Sequence, residues 1–366
     1  MDKKLIKTDC ILCVWGCGIN AYVEEGRLVK VEGMTEHPLN QGVLCPRGQQ
    51  LVDYIYSPDR LKYPMKRVNG GWERISWEET LDTIAGKLQQ IRDKYGAHAL
   101  AIFCGSIGVE NNELGAFARR FRGAYGTPNF LSVESNCFRS RILAHQLTFG
   151  TFLLEEPEKA KCIILWGHDP DNSKLPLARK IYKALDNGLR LIVINPKRTP
   201  LAKRGIHIPI RPGTDCALAL GMLSVIISED LYAKEFIEKY TVGFDKLAEH
   251  IKQYPPEKVA EITWVPADKI REAARMYATT KPATIFQGNC LDNMENGFQG
   301  CRALNTLVSI CGNLDIRGGS TQMPFFIFEK LALEDTEKEG LPLPKVEAAG
   351  KREGPVYYEV LCIPQE

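Results

Sequence analysis

The chain has 366 residues, of which 44% are hydrophobic and 25% are charged, and these ordinary globular values exclude a disordered or fibrous chain. Lys and Arg number 47 against 45 Asp and Glu, so the net charge of +2 provides no broad electrostatic surface for a nucleic acid or an anionic membrane. The length predicts two or three domains at roughly 150 residues each. The longest mostly apolar run, Cys216 to Ser228, is too short for a transmembrane segment and predicts a buried helix.

Twelve cysteines occur in a chain whose first eight residues show neither the apolar segment of an export signal nor a twin arginine. These observations predict a cytoplasmic location. Cytosolic thiols stay reduced, so clustered cysteines in such a protein more often ligate metals or react than form disulfides.

Four of the cysteines, Cys10, Cys13, Cys17 and Cys45, fall within the first 45 residues. Four thiolates suit either Zn or an iron–sulfur cluster. Three cysteines on one tight loop and a remote fourth can each hold one corner of a [4Fe–4S] cube, whereas a structural Zn site favours two C-x2-C pairs. The second pair is missing here, so the spacing favours iron–sulfur over Zn.

The segments around these cysteines read as short strands and turns. Ala21–Glu24 and Arg27–Val31 are strand-like and are separated by a turn at Glu25-Gly26, which predicts a hairpin. Residues 1–62 are therefore predicted to form a small β-rich module, which has too little core to be stable without a metal.

From Ser76 the hydrophobic pattern takes the helical period. Ser76-Trp-Glu-Glu is a capping box that opens a predicted helix over Trp77–Tyr95. Strand-like and helix-like segments then alternate, which predicts α/β layers with parallel sheets. Glu329–Gly354 is charged and contains Gly and Pro, so it is predicted to be a long loop or linker. The other predicted elements are strands at 99–103, 129–132, 162–166, 190–194 and 283–287 and helices at 111–125, 174–185, 215–228, 231–239, 267–277 and 297–311.

The spacing Cys10-x2-Cys13-x3-Cys17, followed at a distance by Cys45-Pro-Arg-Gly, resembles the N-terminal module of the molybdopterin oxidoreductases of the dimethyl sulfoxide reductase family. The resemblance extends from residue 10 to about residue 325, and the number, order and spacing of its motifs make it specific. The further matching segments are Arg60–Met65, Trp72–Trp77, Cys162–Gly167, Pro212–Asp215, Gly312–Leu314 and Gly318-Gly319.

The resemblance implies an α/β fold, in which a small β-rich iron–sulfur module precedes interleaved Rossmann-like domains. It implies a cluster module at 1–62, a discontinuous α/β domain at 63–130 plus about 318–366, and a Rossmann-like pterin-dinucleotide-binding domain at 131–317. The implied cofactors are a [4Fe–4S] cluster and two molybdopterin guanine dinucleotides with Mo or W.

The length departs from the family pattern. Catalytic chains of the family are usually much longer and end in a β-barrel domain, which the 38 residues after Phe328 cannot build. The chain is therefore expected to be the N-terminal portion of a catalytic subunit, either truncated or completed by a second chain. Poor retention of pterin is expected when it is expressed alone.

By resemblance, Cys137 is the protein ligand of Mo or W, since a soft thiolate suits a metal in a sulfur-rich sphere. The alternative is a buried core thiol. Arg47, two residues after the last cluster cysteine, is placed by analogy between cluster and pterin, where a permanent cation would stabilise the reduced centres. A plain surface arginine is the alternative there.

The first predicted pterin-dinucleotide contact is the segment Gly167-His-Asp-Pro-Asp-Asn-Ser. It follows a buried strand and precedes a helix, so its backbone N–H groups can receive a phosphate. Gly167, Asp169 and Asn172 are accordingly predicted to bind the cofactor.

A second set of predicted contacts follows the next strand. Asn195 occupies a place where the family usually has Asp for a ribose, and it can still hydrogen-bond hydroxyls. Lys197 and Arg198 could neutralise phosphate or form a solvated basic turn. Gly213 and Asp215 belong to another family signature. Asp215 could accept from guanine or instead act as the N-cap of the next helix.

Three functional hypotheses follow from the resemblance. The first is a two-electron oxidoreductase that acts on a small molecule and exchanges electrons with a partner protein. Formate is disfavoured as its substrate, because Phe138 follows Cys137 where formate dehydrogenases usually have His. The second is a non-redox hydratase of the acetylene hydratase type. Its proton-donating Asp is here replaced by Val14, which has no acidic proton. The third is a cluster-bearing subunit without pterin catalysis.

The remaining cysteines lie mostly on predicted strands or helix faces and lack paired ligand spacing; they are Cys104, Cys162, Cys216, Cys290, Cys301, Cys311 and Cys362. Of these, Cys290 and Cys301 are expected to pack in the core rather than to hold a second cluster.

Overall fold

A computed structural model of the chain describes residues 3–13, 15–105, 112–133 and 137–322. Val14, the predicted linker at 329–354 and the 38 residues after Phe328, on which the expectation about a barrel domain rests, lie outside these ranges. Within them, no helix is long and apolar enough to cross a membrane.

The secondary structure alternates between strands and helices over most of the chain. Up to residue 132 the elements are β1 (Lys3–Asp9), β2 (Gly18–Glu24), β3 (Arg27–Gly33), α1 (Pro46–Gln49), α2 (Leu51–Ile55), β4 (Met65–Val68), β5 (Gly71–Arg74), α3 (Trp77–Tyr95), β6 (Ala101–Cys104), α4 (Asn112–Tyr125) and β7 (Asn129–Ser132). The elements after residue 137 are α5 (Arg139–Phe149), β8 (Leu153–Glu155), β9 (Cys162–Trp166), α6 (Pro170–Ser173), α7 (Leu175–Asp186), β10 (Arg190–Ile194), β11 (Ile206–Ile208), α8 (Asp215–Ser228), α9 (Lys234–Tyr240), α10 (Phe244–His250), α11 (Pro256–Thr263), α12 (Ala267–Thr279), β12 (Ala283–Gln287), α13 (Gly297–Ile310) and β13 (Ser320–Gln322).

The chain divides into two compact units, Met1–Arg60 with Val133–Phe326, and Leu61–Ser132 with Ile327–Glu366. The finer division expected from the sequence, with a separate 1–62 module and a 131–317 domain, stays a prediction. The first unit contains all of the predicted site residues, including the four N-terminal cysteines.

A three-stranded antiparallel sheet in the order β1-β2-β3 opens the first unit. The predicted hairpin is confirmed as β2–β3, and Glu25 and Gly26 in its turn have φ values of 49° and 77°. Two positive φ values give a turn whose twist matches that of the strands. The sequence did not predict β1.

The main sheet of the first unit is four-stranded and parallel, in the order β11-β10-β9-β12. Every residue of β9 and β12 is buried, as expected for strands with helices on both faces. The predicted strands 162–166, 190–194 and 283–287 are confirmed residue for residue. Side chains on the two faces belong to separate apolar cores, one formed mainly with α8, α12 and α13 and the other with α7.

The predicted helix at 231–239 begins later than expected, at Lys234. Asp230 adopts a left-handed φ of 56°, and the backbone N–H of Ala233 donates to the Ile310 carbonyl at 2.7 Å. These features keep residues 231–233 out of the helix.

The second unit contains a β4–β5 hairpin and a parallel β6–β7 pair with α3 and α4. Helix α3 has the predicted bounds, and the Ser76 hydroxyl accepts from the Glu79 backbone N–H at 3.0 Å. The first strand predicted here is shifted to Ala101–Cys104 by a 3-10 turn at Ala97–Ala99.

Candidate functional site

The four N-terminal cysteines converge around one loop of the first unit. Cys10 follows β1 and Cys17 precedes β2, and the Cys10 backbone N–H donates to the Cys17 carbonyl at 2.8 Å. Burial, together with the neighbouring thiols of Cys13 and Cys45, raises the pKa of the Cys10 thiol and raises the pKa of Cys17 to about 12. Because ligation needs thiolates, a bound cation would favour the deprotonated form that burial disfavours at Cys10 and Cys17.

This donor set fits a polynuclear cluster. Its four members are all thiols, and a [4Fe–4S] cube takes one cysteine on each of its four irons. Gly48 leaves room beside the cysteines, since a Cβ there would lie 3.4 Å from Leu44 Cδ2 and 3.9 Å from Cys10 Sγ. Arg47 is exposed on α1, and its charge slightly offsets the rise in the pKa of Cys10.

The main sheet has a topological switch point between β9 and β12. The chain runs from β9 to β10 and β11 on one side, and returns as β12 on the other. Ligands of open α/β sheets bind outside the carboxyl ends of the strands at such a point. Here those ends carry two glycines, Gly167 after β9 and Gly288 after β12.

The two loops at the switch point touch each other. Gly167 has a φ of +61°, and a Cβ built on it would lie 2.2 Å from Cys290 Sγ. A Cβ on Gly288 would lie 1.9 Å from the Gly167 carbonyl oxygen. The Cys290 thiol also contacts that oxygen at 3.5 Å. Only glycine fits at either position, so both loops bring bare backbone to the crevice.

Cys137 lies at this switch point. The side-chain amide of Asn289, in the turn after β12, donates to Cys137 Sγ at 3.4 Å. Cys137 is half-buried and lies two residues before the start of α5, so it is not a core thiol. Its predicted role as a metal ligand stays a prediction.

A buried ion pair fixes the start of α5 next to Cys137. Asp292 accepts from the Arg141 guanidinium at 2.7 Å and from the Arg141 backbone N–H at 2.9 Å. The two side chains are only 8% and 0% exposed. The guanidinium also lies 5.1 Å from the ring centroid of Phe138, which adopts a left-handed φ of 80°. These contacts hold the Cys137–Phe138 turn to the loop after β12.

The loop after β9 presents polar atoms that lack protein partners. Asp169 Oδ2 accepts from the Asn172 amide at 2.7 Å, whereas Asp169 Oδ1 and His168 Nδ1 are buried without a partner in the described part of the chain. Burial lowers the pKa of His168 to about 3, so the imidazole is neutral. Buried polar atoms normally have partners, and a ligand in the crevice would supply them. Gly167, Asp169 and Asn172 are thus brought together.

The second set of predicted contacts follows β10 and is more open. Asn195 Oδ1 accepts from the Lys197 backbone N–H at 2.9 Å, which closes a local turn. The side chains of Lys197 and Arg198 are exposed. Gly213 has a φ of +85° and opens the turn before α8. The nucleotide roles of these residues stay predictions.

Asp215 is the first residue of α8, and Thr214 precedes the helix, so the N-cap alternative for Asp215 is wrong. The Trp166 indole N–H donates to Asp215 Oδ1 at 2.7 Å, which ties this carboxyl to the end of β9. Burial raises the pKa of Asp215, and the bond from Trp166 partly offsets the rise.

The residues after β12 were missed from the sequence. Asn289 and Asp292 follow a fully buried strand, the same signal that identified Gly167 after β9. Cys290 was expected in the core but is exposed, because the turn that follows β12 carries it to the crevice. Cys301 is buried as expected.

Two protein-family models match the chain. One, described as molybdopterin oxidoreductase Fe4S4 domain, covers residues 3–57, and the other, described as molybdopterin oxidoreductase, covers residues 60–338. The chain belongs to the molybdopterin oxidoreductase family. The resemblance drawn from the sequence is confirmed, and the first match decides for iron–sulfur over Zn.

Several curated relatives match over most of the chain. Acetylene hydratase of Syntrophotalea acetylenica is 36% identical over 313 residues, which cover 83% of this chain and 43% of the relative. The F420-dependent formate dehydrogenase subunit alpha of Methanocaldococcus jannaschii is 33% identical over 323 residues, which cover 87% of this chain and 47% of the relative. DmsA, the dimethyl sulfoxide reductase of Escherichia coli, is 32% identical over an alignment of 372 residues, which covers 87% of this chain and 45% of the relative.

The solved structure of acetylene hydratase from Pelobacter acetylenicus is similar to the chain, with a TM-score of 0.75 and 34% identity. It confirms the expected α/β fold class. The similarity covers 86% of this chain and 44% of that structure, so the chain spans somewhat less than half the length of its relatives. The family's cofactors, a [4Fe–4S] cluster and a Mo- or W-pterin, agree with those expected from the sequence.

Proposed function

We propose that the chain is the N-terminal portion of the catalytic subunit of a Mo- or W-bis-pterin oxidoreductase. It performs two-electron chemistry on a small substrate, and electrons pass through the [4Fe–4S] cluster. The observation that carries this proposal is the position of Cys137 at the β9–β12 switch point, in the same compact unit as the four-cysteine loop. When bound, the pterin-held metal supplies the two-electron step and the cluster passes single electrons.

The chain's own residues hold and orient these groups. Cys10, Cys13, Cys17 and Cys45 hold the cluster, and Cys137 ligates the Mo or W ion. Around Cys137, the Asn289 amide donates to the sulfur and Asp292 fixes the following helix. The two glycine loops and the set Asp169, Asn172, Asn195, Lys197, Arg198, Gly213 and Asp215 receive the pterin dinucleotides.

Metal analysis tests the proposal first. Anaerobically purified protein should contain about four Fe with acid-labile sulfide, and Mo or W near one per chain when the pterin is retained. Stoichiometric Zn without Fe would refute it. Cys137→Ala should abolish turnover but leave the reduced cluster's EPR signal, while Cys104→Ala, at another half-buried thiol, should keep both. Activity in Cys137→Ala would disprove the ligand assignment.

Formate is a poor substrate candidate for this site. The residue after Cys137 is Phe138, whose ring packs on Phe152 with centroids 5.2 Å apart. An aromatic hydrocarbon cannot accept a proton, whereas general-base chemistry needs such an acceptor. Formate-dependent dye reduction is therefore expected to be absent, and its detection would contradict this exclusion.

A hydratase of the acetylene hydratase type is the second candidate. The identity of 36% and the TM-score of 0.75 to acetylene hydratases favour it. Val14 lies outside the described residues, but a valine side chain has no acidic proton to donate, which counts against the hydratase. Hydration leaves the cluster's oxidation state unchanged, so product from acetylene without any electron acceptor would establish the hydratase and refute the redox proposal.

The third candidate is a cluster-bearing subunit without pterin catalysis. About four Fe with no Mo or W after co-expression with a pterin supply would favour it. An electron-transfer partner, a second chain carrying the rest of the catalytic subunit and the cytoplasmic location stay predictions. Co-purification from the native cell tests the two partners.

A further inference from the structure

Trp15 joins the cluster loop to the main sheet. It lies between Cys13 and Cys17, and its ring packs against two apolar cores. One core contains Cys10 and Cys17 themselves, and the other contains the residues of β9 and β10 that face α7. Its indole N–H is buried and has no partner in the described ranges. Trp15 therefore packs between the cluster loop and the α7 face of the main sheet.

Lys174 is the N-cap residue of α7 and lies over the Trp15 ring. Its ammonium lies 5.1 Å from the Trp15 ring centroid, within the range of a cation–π contact. Burial lowers the pKa of Lys174, whereas the Glu155 carboxylate and the Cys13 thiol oppose that effect and Arg141 adds to it. The lysine is thus a half-buried cation between a cluster cysteine and Arg141.

The cations continue toward the predicted metal ligand. Both Lys174 and Arg141 act on His168, lowering the pKa of its imidazole beyond the larger effect of burial. Arg141 in turn lies over the ring of Phe138, the residue after Cys137. A series of positive groups therefore runs from Cys13 past Trp15 to the turn that holds Cys137.

We propose that Lys174, seated on Trp15, is a positioning residue that raises the reduction potential of the [4Fe–4S] cluster by a route separate from Arg47. A positive charge beside a redox centre favours the reduced form, which carries one more negative charge. Arg47 interacts with Cys10 from α1, whereas Lys174 interacts with Cys13 from the residue before α7. The inference rests on the cluster of the proposed function.

An EPR-monitored redox titration of the anaerobically purified chain tests this inference. Lys174→Met should favour the oxidised cluster about tenfold, which lowers the one-electron midpoint potential by about 59 mV. Lys174→Arg keeps the charge and should stay within threefold of the wild type. Lys183→Met removes an exposed lysine of the same helix and should change nothing.

The outcomes separate the two proposals. An unshifted potential in Lys174→Met, or an equal shift in Lys174→Arg, overturns the inference and leaves the cluster assignment standing. A wild-type chain without iron and sulfide overturns both. If Lys174→Met fails to assemble a cluster, Lys174→Gln gives the same comparison. Trp15→Leu removes the ring beneath the ammonium and should lower the potential in the same direction, whereas an unchanged potential contradicts the role of Trp15.

Discussion

Removing Asp292 should unfold the start of α5 and with it the turn that carries Cys137. The Asp292 side chain is fully buried and accepts two hydrogen bonds from Arg141, at 2.7 and 2.9 Å. Breaking one partner of a buried ion pair costs about 3–5 kcal/mol, because the other charge is left without compensation. We therefore expect Asp292→Ala to lower the free energy of unfolding by about that amount.

A matched control is the exposed pair of Arg275 and Glu229. It also has two hydrogen bonds, at 2.8 and 2.9 Å, both donated by the guanidinium, but its side chains are 54% and 33% exposed. Exposed pairs contribute about 0–1 kcal/mol, so Glu229→Ala should be nearly silent. The double variant Arg141→Met with Asp292→Leu removes both charges. Its free energy of unfolding should fall by only about 1–3 kcal/mol, the cost of leaving the backbone N–H of residue 141 without an acceptor.

Urea unfolding followed by circular dichroism measures these differences. With a slope of about 3 kcal/mol per molar urea, the Asp292→Ala midpoint should fall by about 1–1.7 M. Hydrogen exchange should show faster opening of the α5 amides than of the β9 amides. An Asp292→Ala midpoint equal to that of Glu229→Ala would refute the reasoning from burial.

Three further predictions follow from single contacts. Burial lowers the pKa of His145 to about 3, so its contribution to stability is present above pH 6.5 and is lost as the pH falls toward 3. His145→Gln should remove up to about 1.4 kcal/mol per pH unit from the acid dependence of urea unfolding, and an unchanged acid dependence would contradict the role of His145. Gly167→Ala should lower the free energy of unfolding by about 1–3 kcal/mol, because the added methyl group meets Cys290 Sγ. Adding Cys290→Ala should restore part of this loss, and an unfolding temperature that is the same with and without Cys290→Ala would disprove the contact. Ser76→Ala should cost about 1 kcal/mol by removing the cap of α3, measured by thermal unfolding, and no change would show that the cap is dispensable.

The sheet strands and the longest helix could be predicted from the sequence for local reasons. β9, β10 and β12 are apolar runs buried on both faces, and α3 begins at a capping box. The strands β8, β11 and β13 have three residues each, which is too short for a periodic pattern. Their existence depends on tertiary pairing.

The candidate site was only partly predictable. The cysteine spacing and the glycine after β9 are local signals, and the family motifs marked Cys137. The Asp292–Arg141 pair and the Asn289–Cys137 bond join positions 151 and 152 residues apart. One sequence carries no sign of which distant polar residues meet, so these partners emerge only from the folded chain.

The same separations set an order of assembly for a chain that is being synthesised. The last cluster cysteine is residue 45, whereas the crevice around Cys137 needs the loop that ends at Asp292. The contact between Arg141 and Asp292 can form only after the ribosome has synthesised all of the roughly 150 residues between them. At about 5–20 residues per second, the segment between these partners takes roughly 8–30 s to emerge. Iron and sulfide can thus enter the N-terminal loop well before a receptacle for the pterin exists.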